Sequence, residues 1–115
     1  MNNDQIFDLS NLRKMVGDPE VVNRLMKIFL DSTPTMLEGL NEGLKNGNYE
    51  NVAFYAHKMK SSIDILKIKD LDVIVRKIEE NVKTNSNLQD IPAMVERVNH
   101  GLTKVFSIIK SELKL

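Results

Sequence analysis

Apolar residues recur at intervals of three and four along almost the whole chain, and this periodicity constrains the fold more than any other feature of the sequence. No segment keeps the alternation of apolar and polar residues that a half-buried strand requires. Turn-forming residues interrupt the pattern at Gly17, at Asn46 to Asn48 and at Thr84 to Asn87. The sequence therefore predicts an all-α protein.

These interruptions divide the chain into one short and four long predicted helices. Each long helix carries a single apolar stripe, as a helix that buries one face does. Pro34 lies inside the second stripe, which continues in phase beyond it, so a kink is predicted there and not a break. Four amphipathic helices joined by short loops predict an up-down-up-down antiparallel four-helix bundle, with a short extra N-terminal helix covering one end and burying Leu9, Leu12 and Val16. The predicted helices cover 10–16, then 19–45 behind an Asp18-Pro19 cap, 49–66, 70–83, and the remainder from Asp90 onward.

Length and composition bound the kind of protein. A chain of 115 residues is long enough for one core, so residues 1–115 are predicted to form a single domain. Its 16 basic and 16 acidic residues cancel, which argues against a nucleic-acid binder or a polybasic membrane-surface protein. It has no cysteine, which excludes disulfides and thiolate chemistry. No apolar run reaches the roughly 20 residues that cross a bilayer, and no secretory signal precedes the first helix. A cytoplasmic location is expected.

The third predicted helix displays a histidine on its polar side. On a helical wheel of about 100° per residue, His57 lies almost opposite the centre of the buried face. Lys60, one turn later, offers a fixed positive charge. The small residues Ala53 and Ser61 leave room for another protein to reach the ring, and with Asp64 they form the predicted partner-binding surface. The opposite, buried face is composed of Val52, Tyr55, Met59, Ile63 and Leu66.

A neutral imidazole nitrogen is a nucleophile near neutral pH without help from a strong base. The simpler interpretation is that His57 is an ordinary surface histidine and Lys60 a solvated lysine, paired at most weakly with Asp64. Histidine and lysine at this spacing occur often by chance, so spacing alone does not decide between these interpretations.

The surrounding sequence resembles a known family. The run Ala56 to Ser62, Ala-His-Lys-Met-Lys-Ser-Ser, is similar to the central A-H-x-L-K-G motif of histidine-containing phosphotransfer (HPt) domains. Further segments that resemble the family, in the order of the predicted helices, are Asp8-Leu9-Ser10-x-Leu12, Gly17-Asp18-Pro19-Glu20, Leu25-x-x-x-Phe29 with Pro34 beyond it, Gly47-Asn48 and Ile78-Glu79.

The resemblance implies a role for two of these residues. His57 would accept the phosphoryl group and Lys60 would steady it. The implied partners are a response-regulator receiver domain, whose aspartate exchanges the phosphoryl group with His57, and a hybrid sensor histidine kinase. The receiver would supply magnesium, so the chain needs no cofactor of its own. It would be a covalent phosphocarrier and not an enzyme, and a monomer is expected.

Two residues depart from the family pattern. Ser61 and Lys67 stand where the family has glycines. Ser61 either narrows partner access or adds a hydrogen bond to the phosphate, and Lys67 changes how the third helix ends. These departures keep open a second function, an HPt-like interaction module that binds a receiver or kinase without accepting phosphate. A helical scaffold unrelated to signalling would require the surroundings of His57 to be coincidental.

Other candidate sites are weaker. His100 lacks the ligands of a closed zinc site, so no metal is expected. Four of the six methionines lie on predicted buried faces and are read as core filler. Val21 and Ile28 lie off the main stripe and are predicted to pack against the first helix, the alternative being a docking patch beside His57. Glu79 and Glu80 are interpreted as a solvated face. No phosphate-binding loop or catalytic triad signature is present.

Overall fold

The computed structural model describes residues 7–114, and this part of the chain is helical with no strand. The prediction of an all-α fold is confirmed. One element was not predicted, a single 3₁₀ turn over Leu88–Asp90 that leads into the last helix. No helix in the described range is long and apolar enough to span a membrane. The helices are α1 (Leu9–Val16), α2 (Pro19–Lys45), α3 (Tyr49–Ile65), α4 (Lys69–Lys83) and α5 (Ile91–Leu113).

Side-chain caps set the start of the first three helices. The carboxylates of Asp8 and Asp18 and the amide oxygen of Asn48 each accept a hydrogen bond from a backbone N–H two or three residues further on, at 2.9 to 3.1 Å. Such caps satisfy donors that have no partner inside the helix. Asp90 immediately precedes α5 as predicted, but its side chain makes no capping hydrogen bond.

Helices α2 to α5 form the predicted antiparallel four-helix bundle. Each packs against the next in the chain, and α5 closes the ring against α2, while α1 packs on α2 at one end. Leu12 of α1 is buried as predicted, whereas Leu9 and Val16 are only partly buried. The core consists mainly of the predicted stripes, including Val22, Met26, Phe29, Leu40, Val52, Met59, Ile63, Val75, Ile78, Val98, Leu102 and Ile109.

A polar pair ties α2 to α5. The side-chain amides of Asn41 and Asn99 exchange two hydrogen bonds of 2.8 Å, and each also donates to the carbonyl four residues earlier in its own helix. The pair is partly buried, so a shift of one helix along the other would leave amide groups without partners. The pair therefore favours one register of α5 against α2.

The end of α3 corrects the expectation drawn from Lys67. This residue adopts a left-handed backbone conformation, with φ of 56°. The N–H of Ile68 donates to the carbonyl of Ile63 at 3.2 Å, and the N–H of Lys67 donates to Asp64 at 3.0 Å. This is the hydrogen-bond pattern that normally places glycine at this position. The helix thus ends as it would with glycine, at the cost of strain in a residue that has a Cβ.

Ile28 also departs from expectation. It keeps 48% of its surface exposed, so α1 does not bury it as predicted. Arg13 of α1 forms an ion pair of 2.6 Å with Glu112 of α5, but both side chains are exposed, so the pair contributes little. Burial of Leu12 holds α1 on the bundle, and Ile28 stays about half exposed.

Candidate functional site

His57 faces solvent from the middle of α3, as the helical wheel predicts. Its side chain is 62% exposed. Its neighbours Ala56 and Met59 are completely buried, so the helix cannot rotate about its axis without exposing the core. The backbone that carries His57 is therefore rigidly held, while the ring itself is open to a visiting molecule.

Glu79 of α4 connects His57 to Lys60. One carboxylate oxygen, Oε2, lies 2.7 Å from Nδ1 of His57, and the other, Oε1, lies 2.8 Å from Nζ of Lys60. The carboxylate side chain is only 14% exposed. The prediction that Glu79 belongs to a solvated face is therefore wrong.

A sequence signal for this position existed. Glu79 directly follows buried Ile78 and lies four residues after buried Val75, so it borders the apolar stripe of α4. Glu80, by contrast, is exposed as predicted.

The charge state of Glu79 follows from its surroundings. Burial raises the pKa of this carboxyl and is the largest single influence. The hydrogen bonds from Lys60 and His57, together with the positive charges of these groups, outweigh it and hold the pKa of Glu79 below its ordinary value. Glu79 is therefore ionised at neutral pH.

An ionised carboxylate can only accept hydrogen bonds, so the Nδ1 that it contacts must carry the proton. In the neutral ring this leaves the lone pair on Nε2, the nitrogen on the far side of the imidazole from Glu79. The contact with α4 thus selects one tautomer and presents an unprotonated nitrogen to an incoming group.

Lys60 is neither freely solvated nor paired with Asp64. It is 24% exposed and directed to Glu79. Asp64 is 68% exposed and lies 3.7 Å from Lys67 instead. Lys60 therefore places a positive charge beside His57 by way of the shared carboxylate.

The remaining predicted residues surround the ring at the surface. Ala53 is half-buried and Ser61 is exposed. The hydroxyl of Ser61 donates weakly to the carbonyl of Lys58, at 3.4 Å. A small side chain on each side of His57 leaves the ring accessible.

Phe54 is a candidate that the sequence interpretation missed. It lies three residues before His57 and is 51% exposed. Its ring packs edge-on against Tyr55, with centroids 5.0 Å apart, and Nζ of Lys58 lies 5.3 Å from its centroid. The sequence did contain a signal for Phe54. It is an aromatic residue within one turn of His57 that lies outside the predicted buried face of the helix.

His100 lies apart from this site, in a groove between α4 and α5 that Asp70, Leu71 and Glu96 also line. Within residues 7–114, no group of three or more histidine, aspartate or glutamate side chains is arranged to hold a metal ion.

Comparison with known proteins places this geometry in context. The Hpt domain family matches residues 24–107. Among solved structures, the chain is similar to the HPT domain of an Hpt sensor hybrid histidine kinase from Shewanella, with a TM-score of 0.84 and 18% identity over 97% of each chain. It is also similar to histidine-containing phosphotransfer protein B (HptB) from Pseudomonas aeruginosa PAO1, with a TM-score of 0.76 and 21% identity over 92% of each chain. A search of curated protein sequences found no significant match.

Proposed function

The chain belongs to the Hpt domain family. From this premise we propose that it is a histidine phosphotransfer protein. It exchanges a phosphoryl group between His57 and an aspartate of a response-regulator receiver domain. Hpt domains are phosphocarrier modules that work with kinases and receiver domains in phosphorelays. One observation supports the assignment of His57 as the acceptor. Glu79 holds its ring at Nδ1, so Nε2 lies on the side away from the carboxylate.

The proposed step needs little from this chain beyond a positioned nucleophile. The lone pair of Nε2 attacks phosphorus, the bond from phosphorus to the aspartyl oxygen breaks, and its electron pair leaves with the aspartate carboxylate. The Nδ1 proton stays in its hydrogen bond to Glu79. Lys60 supplies positive charge beside the transferred group, and the receiver is proposed to supply magnesium.

The partner must cover the exposed face of α3. Transfer requires the receiver aspartate to come within bonding reach of Nε2. A stable interface of about 800 Å² per partner has a radius of about 16 Å, and side chains three or four residues apart on a helix lie only about 5–6 Å from each other. An interface of this size centred on His57 includes Ala53, Phe54 and Ser61, and Asp64 lies within two helical turns of its centre.

Phe54 is the more exposed of the two large apolar residues that α3 displays, with 51% of its surface exposed against 40% for Ile65. Aromatic residues that a partner buries commonly contribute most of the binding free energy. Packing against Tyr55 and Lys58 holds the ring in place before the partner arrives, which reduces the entropy lost on binding. We therefore assign it as the main apolar contact to the receiver.

Phosphorylation of the intact protein tests this function. Incubation with phosphoramidate, or with a phosphorylated receiver domain, should give an acid-labile phosphoryl group that is absent from His57→Gln. His100→Gln is the matched control, because it removes the other histidine of the chain, and it should be labelled as the wild type is. Circular dichroism should show unchanged helical content in both variants.

Two results would contradict the proposal. Label retained in His57→Gln would exclude this histidine as the acceptor. Binding of a receiver by both wild type and His57→Gln, with no label on either, would favour the alternative of an HPt-like interaction module that does not accept phosphate.

A further inference from the structure

We infer that the Glu79 carboxylate keeps Nδ1 of His57 protonated after Nε2 has been phosphorylated. The phosphohistidine then stays in the form from which the phosphoryl group can depart. This role rests on the proposed function. The observation behind it is the position of an ionised carboxylate oxygen 2.7 Å from the nitrogen that does not react.

The chemistry of the ring makes that proton important. Attack by Nε2 uses the ring's free lone pair, so a ring that keeps its Nδ1 proton becomes a cation. When the bond between Nε2 and phosphorus later breaks, the electron pair returns to Nε2 and the leaving group is neutral imidazole. If Nδ1 first lost its proton, the same cleavage would expel an imidazolate anion, which is a much poorer leaving group.

The geometry favours the protonated ring. A negative charge within hydrogen-bonding distance stabilises a cation. Lys60 holds the other carboxylate oxygen at 2.8 Å, so Glu79 cannot easily turn away from Nδ1. The charge of Lys60 opposes protonation of the ring, but Lys60 contacts Oε1 of Glu79, whereas Oε2 contacts Nδ1 directly.

Other charged groups are engaged elsewhere. Lys58, next to His57 on α3, lies over the Phe54 ring, and Asp64 pairs with Lys67. On α4, Arg76 is held by Asp72 at 2.9 Å. Within residues 7–114, the hydrogen bond and ion pair of the His57 ring are both made with Glu79, and α2 contributes no such contact to the ring.

The test is the pH dependence of phosphoryl loss. Wild type, Glu79→Gln and the matched control Glu80→Gln are phosphorylated with phosphoramidate, and loss of the phosphoryl group to water is followed by ³¹P NMR between pH 5 and 9. Glutamine can still accept the Nδ1 hydrogen bond but carries no charge, and Glu80 is an exposed neighbour on the same helix.

The rate should fall as the ring loses its proton, and this fall should come at higher pH in the wild type than in Glu79→Gln, because the carboxylate stabilises the cation. At the alkaline end of the range the wild type should lose phosphate about tenfold faster, the size expected when a hydrogen bond to a cation loses its charge assistance. Glu80→Gln should superimpose on the wild type. Superimposable profiles for wild type and Glu79→Gln would overturn the inference.

A second measurement requires no variant. A ¹⁵N NMR titration of phosphorylated wild type should show Nδ1 of His57 losing its proton at a higher pH than in free phosphohistidine. An equal or lower midpoint would also overturn the inference, while leaving the proposed function intact. Failure of phosphoramidate to label His57 at all would instead refute the proposed function, and with it this role of Glu79.

Discussion

Replacing Lys67 by glycine should stabilise the protein, because the end of α3 forces a residue with a Cβ into the left-handed region. The φ of 56° costs about 1–2 kcal/mol in a residue with a side chain. Glycine avoids that cost but loses about 0.4–1 kcal/mol through the greater freedom of its unfolded chain. The ion pair that is lost is long, at 3.7 Å to Asp64, and exposed, so it contributes little. The midpoints of these two ranges differ by about 0.8 kcal/mol, which is the expected net gain.

Urea unfolding of Lys67→Gly and Lys67→Ala measures this gain directly. Alanine removes the charge and the long side chain but keeps the Cβ, so it should leave the free energy of unfolding close to that of the wild type. The glycine variant should melt about 2–5 °C higher. Phosphorylation of His57 should not change in either variant, since Lys67 lies almost three helical turns away. Equal stabilities for the glycine and alanine variants would refute the reasoning about backbone strain.

Further predictions concern docking, acid stability and packing. Phe54→Ala should raise the KM for transfer to a receiver about tenfold, with unchanged labelling by phosphoramidate. Val73→Ala truncates another exposed apolar residue, on α4, and should change neither the KM nor the labelling. Equal KM values for the two variants would remove Phe54 from the interface. Because the pKa of Glu79 is lowered on folding, its stabilisation is present above about pH 4.5 and is lost as the pH falls below that value. The free energy of unfolding of Glu79→Gln, measured with urea, should therefore fall less between pH 5 and 3 than that of the wild type, and parallel curves would count against the ion pair. Gly39→Ala should destabilise by about 1–3 kcal/mol in the same assay, because its Cβ would overlap the Tyr55 ring, and no loss would mean that the ring moves freely.

The fold was predictable because each helix carries its own apolar stripe. Val98, Leu102, Val105 and Ile109 mark the buried face of α5 at intervals of three and four, and all four are buried in the structure. Turn residues such as Gly17 marked where helices end. Such signals are local, so they can be recognised along a single helix without knowledge of what it packs against.

The partner of His57 was not predictable in the same way. Periodicity gives the direction of each side chain from its own helix axis, but not the rotation and height of one helix against another. The carboxylate of Glu79 meets Nδ1 of His57 only because α3 and α4 pack at one particular register. Solvent exposure is therefore hardest to predict for residues at the edge of an apolar stripe, such as Glu79. Lys67 is a different case, since its left-handed conformation is imposed by the turn into α4 and overrides the preference of the residue.

Reactivity and partner choice should be separable in this protein, because they depend on different layers of the bundle. Ala56 and Met59 on α3 and Ile78 on α4 are completely buried around His57 and Glu79, so core packing fixes the distance from ring to carboxylate. Phe54, by contrast, has 51% of its surface exposed. A change in the core at Met59 should therefore alter the intrinsic rate with a small phosphodonor, whereas a change at Phe54 should alter the KM for receivers and leave that rate unchanged. Receiver specificity can then change through surface substitutions while the chemistry at Nε2 is preserved.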